Sequence, residues 1–189
     1  MELSLIEERI SSKKLVLAVF GLGRIGLPTA VEFAHHGYKV IGVDINKKLL
    51  EDLRKSNTFV DEPGLVELLQ DCNSKNAIEY IDNAEQAVEK SDFVVLCLPT
   101  PITEDRIPDF SIIEDVCKKI SKKLRPNQFV IVESSISPTT IRDLIVPTLA
   151  KESGLKINID FGVCSCPERA DPGKIVDNFD KIPRIIGGS

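Results

Sequence analysis

An uninterrupted apolar run, Leu15 to Phe20, breaks directly into the glycine turn Gly21-Leu22-Gly23-Arg24-Ile25-Gly26, and no other feature constrains the chain as much. A run without polar side chains suits a strand buried on both faces. Beyond the turn, Leu27, Ala30, Val31 and Ala34 recur at helical spacing until Gly37. Strand, tight turn and helix in direct succession make the first half of a βαβ unit. Each glycine has a mechanical task in such a turn. Gly21 permits the sharp reversal, Gly23 leaves no side chain in front of the helix, and Gly26 lets the helix lie close to the sheet. Pro28 falls in the first helical turn, where a missing N–H costs little.

The rest of the chain alternates in the same way. Lys39 to Val43 is a second strand, closed by Asp44, and an amphipathic helix follows over Lys47 to Lys55. Pro63 starts a short helix through Leu69. Phe93 to Leu98 and Phe129 to Val132 are two further strong strands. Ile113, Val116, Cys117, Ile120 and Leu124 form a helical stripe between them. Ile141, Leu144, Ile145 and Leu149 form another, with Pro147 as a kink. Asn158 to Cys164 and Arg184 to Ile186 read as late strands. Alternation of this kind predicts an α/β chain with a doubly wound, mostly parallel Rossmann-type sheet and helices on both faces. Residues 1–12 read as an N-terminal extension and residues 13–189 as one domain.

A helix that begins at such a turn offers unpaired N–H groups and partial positive charge to phosphates. Gly21, Gly23, Arg24, Ile25 and Gly26 are therefore expected to cradle a pyrophosphate. Asp44 closes the next strand at about the spacing, roughly 20 residues, of the dinucleotide fingerprint. Its carboxylate can accept hydrogen bonds from both hydroxyls of an adenosine ribose and would repel a 2′-phosphate. No arginine directly follows it, so NAD is expected rather than NADP. FAD and a methyl donor such as S-adenosylmethionine are lesser competitors.

The formal net charge is -5 and the lysines are scattered, so nothing marks a nucleic-acid surface. No apolar run is long enough to span a membrane, and the charged, amphipathic N-terminus lacks the apolar core of a signal peptide. Five irregularly spaced cysteines without an export signal suggest reduced thiols in the cytoplasm. Cys164 and Cys166 lie two apart, but no second ligand cluster accompanies them, so buried neutral thiols are expected rather than a metal site. His35 and His36 suit the negative end of the first long helix.

Four further motifs follow in order: Leu98-Pro99-Thr100-Pro101, Glu133-Ser134-Ser135-Ile136-Ser137-Pro138, Cys166-Pro167-Glu168-Arg169 with Pro172-Gly173-Lys174, and Arg184-Ile185-Ile186-Gly187-Gly188. All but the last sit at strand ends, where open α/β sheets place ligands. In this order and spacing, from about Leu15 onward, the chain resembles the UDP-glucose/GDP-mannose dehydrogenase family. The Pro-Glu-Arg and Pro-Gly pair is similar to the branch acting on UDP-N-acetylhexosamines; members acting on UDP-glucose usually carry Phe-Leu after the Pro-Glu.

The resemblance implies a double oxidation of a sugar C6 alcohol to the acid by two NAD molecules in turn. An essential cysteine captures the aldehyde, and the resulting thioester is hydrolysed. That cysteine belongs to a C-terminal domain, preceded in the family by a central helix with dimer contacts and a catalytic lysine. None of this lies in the chain, so a fragment inactive alone is expected. Its UDP-sugar should bind weakly, an apolar face should be exposed, and the full-length enzyme should be a homodimer. Pro99, Thr100, Pro101 and Ser135 are implied to lie along the cofactor. Ser135, where the family typically has threonine, would hold the reacting oxygen or a water, and Glu168 would activate water as general base. Arg169 would pair with a substrate phosphate or a carboxylate. Pro172 stands where other members carry a second acidic residue. Ser137 is the better candidate for a helix N-cap. Two alternatives are a stand-alone NAD-sensing module, which would not need Ser135 and Glu168, and a dehydrogenase of small hydroxy acids, which would not explain Pro-Glu-Arg.

Overall fold

Side chains of β1 (Val16–Phe20) leave the sheet alternately on two faces, and both faces are covered. Leu17 and Val19 enter one hydrophobic cluster; Ala18 and Phe20 enter the other. The computed structural model describes residues 3–169 and 171–188. Met1 and Glu2 of the expected extension, and Ser189 of the expected domain, lie outside them.

The strands that follow are β2 (Lys39–Val43), β3 (Ile78–Ile81), β4 (Phe93–Leu96), β5 (Phe129–Val132), β6 (Gly162–Ser165) and β7 (Gly187–Gly188). Among the described residues they form one sheet in the order β3-β2-β1-β4-β5-β6-β7. All pairings are parallel except β6 with β7. Strand order reverses between β1 and β4, which places the topological switch point there.

On one face pack α2 (Gly26–His35), α3 (Lys47–Arg54) and α4 (Leu65–Ser74), through Leu27, Val31, Leu50, Leu53 and Leu69. On the other pack α5 (Ala84–Lys90), α6 (Ser111–Ser121) and α7 (Val146–Ser153), through Val88, Ile113, Ile120 and Leu149. A short helix, α8 (Ile175–Asn178), follows β6. The doubly wound Rossmann-type architecture is as expected.

Several local expectations need correction. The helix assigned from Pro63 to Leu69 is α4, which starts after the left-handed Gly64 and runs to Ser74. The strand β3 and helix α5 were not anticipated. The strand expected over Asn158 to Cys164 begins only at Gly162; Asn158 has φ 63, and the Asp160 N–H bonds the Lys156 carbonyl in a turn. Arg184 to Ile186 is not a strand, and pairing with β6 starts at Gly187. The kink at Pro147 takes the form of a π-helical segment, Ile141–Ile145, before α7 resumes with the proline in its first turn. Pro147 thus follows directly on a segment whose bonding departs from the α-helical ladder that a proline interrupts. The Ser137 hydroxyl is not the expected cap: it meets the hydroxyl of Thr140, 3.1 Å away.

The N-terminal segment forms α1 (Leu3–Ser11), tied to the sheet by charge. The Arg9 guanidinium donates to both oxygens of Asp92, each at 2.7 Å, and the Val16 N–H donates to the same carboxylate at 3.0 Å. Asp92 thus joins α1 to the starts of β1 and β4. Arg9→Ala should cost about 1 kcal/mol and release α1, since Arg9 is partly exposed. Asp92→Ala also strands the Val16 N–H and should cost about 2–3 kcal/mol. Urea unfolding measures both; equal costs would remove Asp92 from its role in anchoring β1.

Candidate functional site

The carbonyl ends of the parallel strands converge at the switch point, and five of the expected site loops lie there. The Gly21 N–H donates to the Val43 carbonyl at 2.8 Å, pinning the turn to β2. Gly21 has φ 86, and a Cβ there would lie 2.6 Å from the Cys97 carbonyl oxygen. Gly26 is tighter still: a Cβ would lie 1.9 Å from the Gly21 oxygen and 2.9 Å from the Cys97 Cβ. Gly23 differs, because a Cβ there would meet nothing within 4 Å. The first and last glycines are required by the protein's own packing. The middle one faces open space at the helix start.

No side chain caps α2, whose N-cap residue is the apolar Ile25. A helix start offers a ligand those N–H groups that lack a partner; here the Leu27 N–H is taken by the Gly23 carbonyl and the Thr29 N–H by that of Ile25, each at 3.1 Å. Arg24 is exposed beside it, and Pro28 stands in the first turn as expected.

The Asp44 carboxylate is turned onto this turn. It accepts from the Leu22 N–H at 2.9 Å and, on its other oxygen, from the Asn46 N–H at 2.9 Å. Each carboxylate oxygen has a further lone pair for a ribose hydroxyl. A crevice of about 1040 Å³ opens here, with Gly21, Asp44, Asn83, Pro99 and Ile112 among its walls. The residues present therefore fit a dinucleotide, with space before Gly23 for phosphates and an acceptor pair for an adenosine ribose.

The loops after β4 and β5 are fastened to each other. The Leu98 N–H donates to the Ser134 hydroxyl at 2.9 Å, and the Thr100 hydroxyl donates to the Ser135 carbonyl at 2.9 Å. Pro99, Pro101 and Ser135 are exposed along this rim.

Beneath the rim is a buried cluster. Glu133, the residue after β5, accepts from the Thr29 hydroxyl of α2 at 3.1 Å and the Cys97 thiol at 3.3 Å. Its other oxygen accepts from Arg184 at 2.9 Å. The second Nη of Arg184 meets Glu168 at 2.5 Å, and the guanidinium lies over the Phe179 ring, 4.8 Å from its centroid. Burial pushes the Glu133 carboxyl up, against the opposing pull of Arg184 and the Cys97 and Thr29 donors. Glu168 also accepts from the Arg169 N–H at 2.7 Å. Arg169 itself reaches the Pro183 carbonyl at 3.3 Å rather than a carboxylate.

The loop that carries Glu168 is held from below. Buried Glu62 accepts from the Gly173 N–H at 2.8 Å and the Ile175 N–H at 2.5 Å. Neither this clamp nor the Arg184 bridge was anticipated. The available signal was a lone charge inside an apolar stretch, Pro183-Arg184-Ile185-Ile186, which demands a buried partner.

Cys166 is buried, as expected, whereas Cys164 is only partly so. Burial raises Cys72 and Cys164 to about 11 and Cys117 to about 12; it also pushes Cys97 and Cys166 up. Among the described residues no group of His, Cys, Asp and Glu is arranged to hold a metal, and no helix is long and apolar enough to cross a membrane.

The model of the NAD binding domain of the UDP-glucose/GDP-mannose dehydrogenase family matches residues 15–189. The chain belongs to that family. A UDP-N-acetyl-D-mannosamine dehydrogenase of Methanococcus maripaludis is 35% identical over 177 residues, 91% of this chain and 38% of that protein. The UDP-N-acetyl-mannosamine dehydrogenase Cap5O of Staphylococcus aureus superposes with a TM-score of 0.85 at 36% identity, over 92% of this chain and 41% of that one. A GDP-mannose dehydrogenase of Pseudomonas aeruginosa gives 0.87 at 30% identity, over 90% of this chain and 40% of that one. The chain thus spans about two-fifths of these relatives' length. What it matches in the family is the NAD binding domain.

Within this family domain the three glycines should respond differently to a methyl group. Gly26→Ala should cost about 3 kcal/mol or more, because the added carbon meets backbone. Gly23→Ala should stay within about 0.5 kcal/mol. Thermal unfolding tests this, and a large loss at Gly23 would mean that its open side is not open.

Proposed function

We propose that this domain holds NAD at the Gly21–Gly26 turn and forms one wall of the active site of a UDP-N-acetylhexosamine 6-dehydrogenase. The enzyme would oxidise the sugar C6 alcohol to a uronic acid in two NAD-dependent steps. The observation that carries the cofactor placement is the open side of Gly23 next to the Asp44 carboxylate. The sugar class rests on the Pro-Glu-Arg and Pro-Gly segments and on relatives named UDP-N-acetylmannosamine dehydrogenases.

In this reading the backbone from Gly23 through Gly26, Arg24 and Ile25 included, faces the pyrophosphate, and Asp44 orients the adenosine ribose. Pro99, Thr100 and Pro101 lie along the dinucleotide, kept in place by the Thr100 bond to Ser135. Bound NAD supplies the hydride acceptor. The Ser135 hydroxyl holds the reacting oxygen or a water, and Glu168 draws a proton from water. The Arg184 guanidinium bridges Glu168 to Glu133. Helix α1 acts as an extension that buttresses the sheet through Arg9. The exposed Ile185 and Ile186 suit a face covered in the assembled enzyme, which we take to be a cytoplasmic homodimer.

Calorimetric titration should show NAD binding at least about tenfold tighter than NADP, a difference of about 1.4 kcal/mol. Gly23→Ala should abolish that binding while the unfolding temperature holds. NADP bound as tightly as NAD, or NAD bound normally by the alanine variant, would overturn the placement. In an enzyme assembled on this domain, Glu168→Gln should slow acid formation about 100-fold or more and spare NAD affinity. Unchanged acid formation would dismiss Glu168 as the base.

A further inference from the structure

Glu62, in the loop between α3 and α4, is 6% exposed. Its two side-chain oxygens accept backbone N–H groups of one distant segment, from Gly173 at 2.8 Å and Ile175 at 2.5 Å. Burying an acid is costly, and a local serine or aspartate could cap the start of α8 without it. A local cap, however, would tie α8 only to its own neighbours. Glu62 ties it to α4, which begins at Leu65, three residues on. The adjoining contacts repeat the pattern. A Cβ on Gly64 would lie 3.6 Å from the Val176 side chain, Phe179 packs edge-on to Phe33 of α2 at 5.8 Å, and the His36 ring meets Asp180 at 3.1 Å. The α8 segment is thereby fixed to α4 and to α2, the helix that starts at the glycine turn.

Glu168 stands between that segment and β6. The Cys166 N–H donates to the Val132 carbonyl at 2.9 Å, which fixes the near end of the loop. Glu62 fixes the far end at Gly173. Pro167 and Pro172, each with a locked φ, lie just inside the two ends. So short and stiff a connection passes a displacement of its far end on to Glu168.

We propose that Glu62 is a positioning residue for water activation: by holding Gly173 and Ile175 it sets where the Glu168 carboxylate stands. This deepens the reading of Glu168 as general base and rests on it. Glu62 takes no part in the proton transfer and acts only through the backbone it holds.

The test is a double-mutant cycle in an enzyme assembled on this domain, read as kcat for acid formation and KM for NAD. Glu62→Gln leaves one oxygen and turns an amide NH2 on one of the two backbone donors. It should lower kcat about tenfold, as a small misplacement of a reacting group does, and leave KM for NAD unchanged. Because Glu62 acts through Glu168, adding Glu62→Gln to Glu168→Gln should slow that enzyme by less than about twofold further. Glu62→Asp keeps both acceptors on a shorter stem and should lose less, about threefold. It carries the same cycle if the glutamine variant does not fold. Asp92→Ala weakens the anchor at the starts of β1 and β4 and should leave kcat unchanged below its unfolding temperature. Unchanged kcat in the Glu62 variants, equal slowing by Asp92→Ala, or a full further loss on top of Glu168→Gln overturns the positioning role and leaves Glu168 as the base. Normal acid formation by Glu168→Gln overturns both.

Discussion

The contact between Gly26 and the Gly21 carbonyl is the constraint on which the rest of the site depends. A methyl group would be driven into backbone there, so α2 can lie against the ends of β1 and β4 only with glycine at both positions. That approach leaves the start of α2 without a side-chain cap and Gly23 on its open side. It also carries Thr29, one turn further on, within reach of Glu133 at the end of β5. A single steric allowance therefore sets both the phosphate cradle and one anchor of the buried cluster.

Charge is distributed along the crevice in the pattern a dinucleotide would require. Asp44 stands at one end with lone pairs for hydroxyl donors. The middle is a helix N-terminus, partially positive, where phosphates are favoured. At the far end Arg184 bridges the carboxylates of Glu133 and Glu168. The acid at Asp44 would repel an anionic ligand if the middle were not positive and close. The arrangement discriminates by position along the ligand rather than by net charge, which is why the overall charge of -5 does not argue against an anionic cofactor.

The central strands were legible because burial on both faces removes polar residues from them. Lys39–Val43 and Phe129–Val132 end where the apolar runs end. The edge strand β3 was not legible: Ile78, Glu79, Tyr80 and Ile81 alternate, as one exposed face allows, and four residues give too short a pattern to stand out. The glycine turn and Asp44 were readable because their geometry is local. Arg184 and Glu133 lie 51 residues apart and Glu62 and Gly173 lie 111 apart, so only the fold makes them neighbours. Sequence offered the charges but not their partners.

The failed strand at Arg184 to Ile186 shows how the site competes with regular structure. Pro183 has no N–H to give a ladder, and its carbonyl is taken by Arg169. Arg184 turns inward to meet Glu133 and Glu168, and stacking on Phe179 fixes it there. A residue whose side chain must reach under two neighbouring strand ends cannot also keep the pleat of an edge strand. Pairing with β6 resumes only at Gly187 and Gly188, beyond the bridge. The apolar pair Ile185 and Ile186, which looked like a strand core, is left exposed for the same reason. The local rule breaks where a buried ion bridge is being built, and the position of the break identifies Arg184 as the residue that organises this end of the sheet.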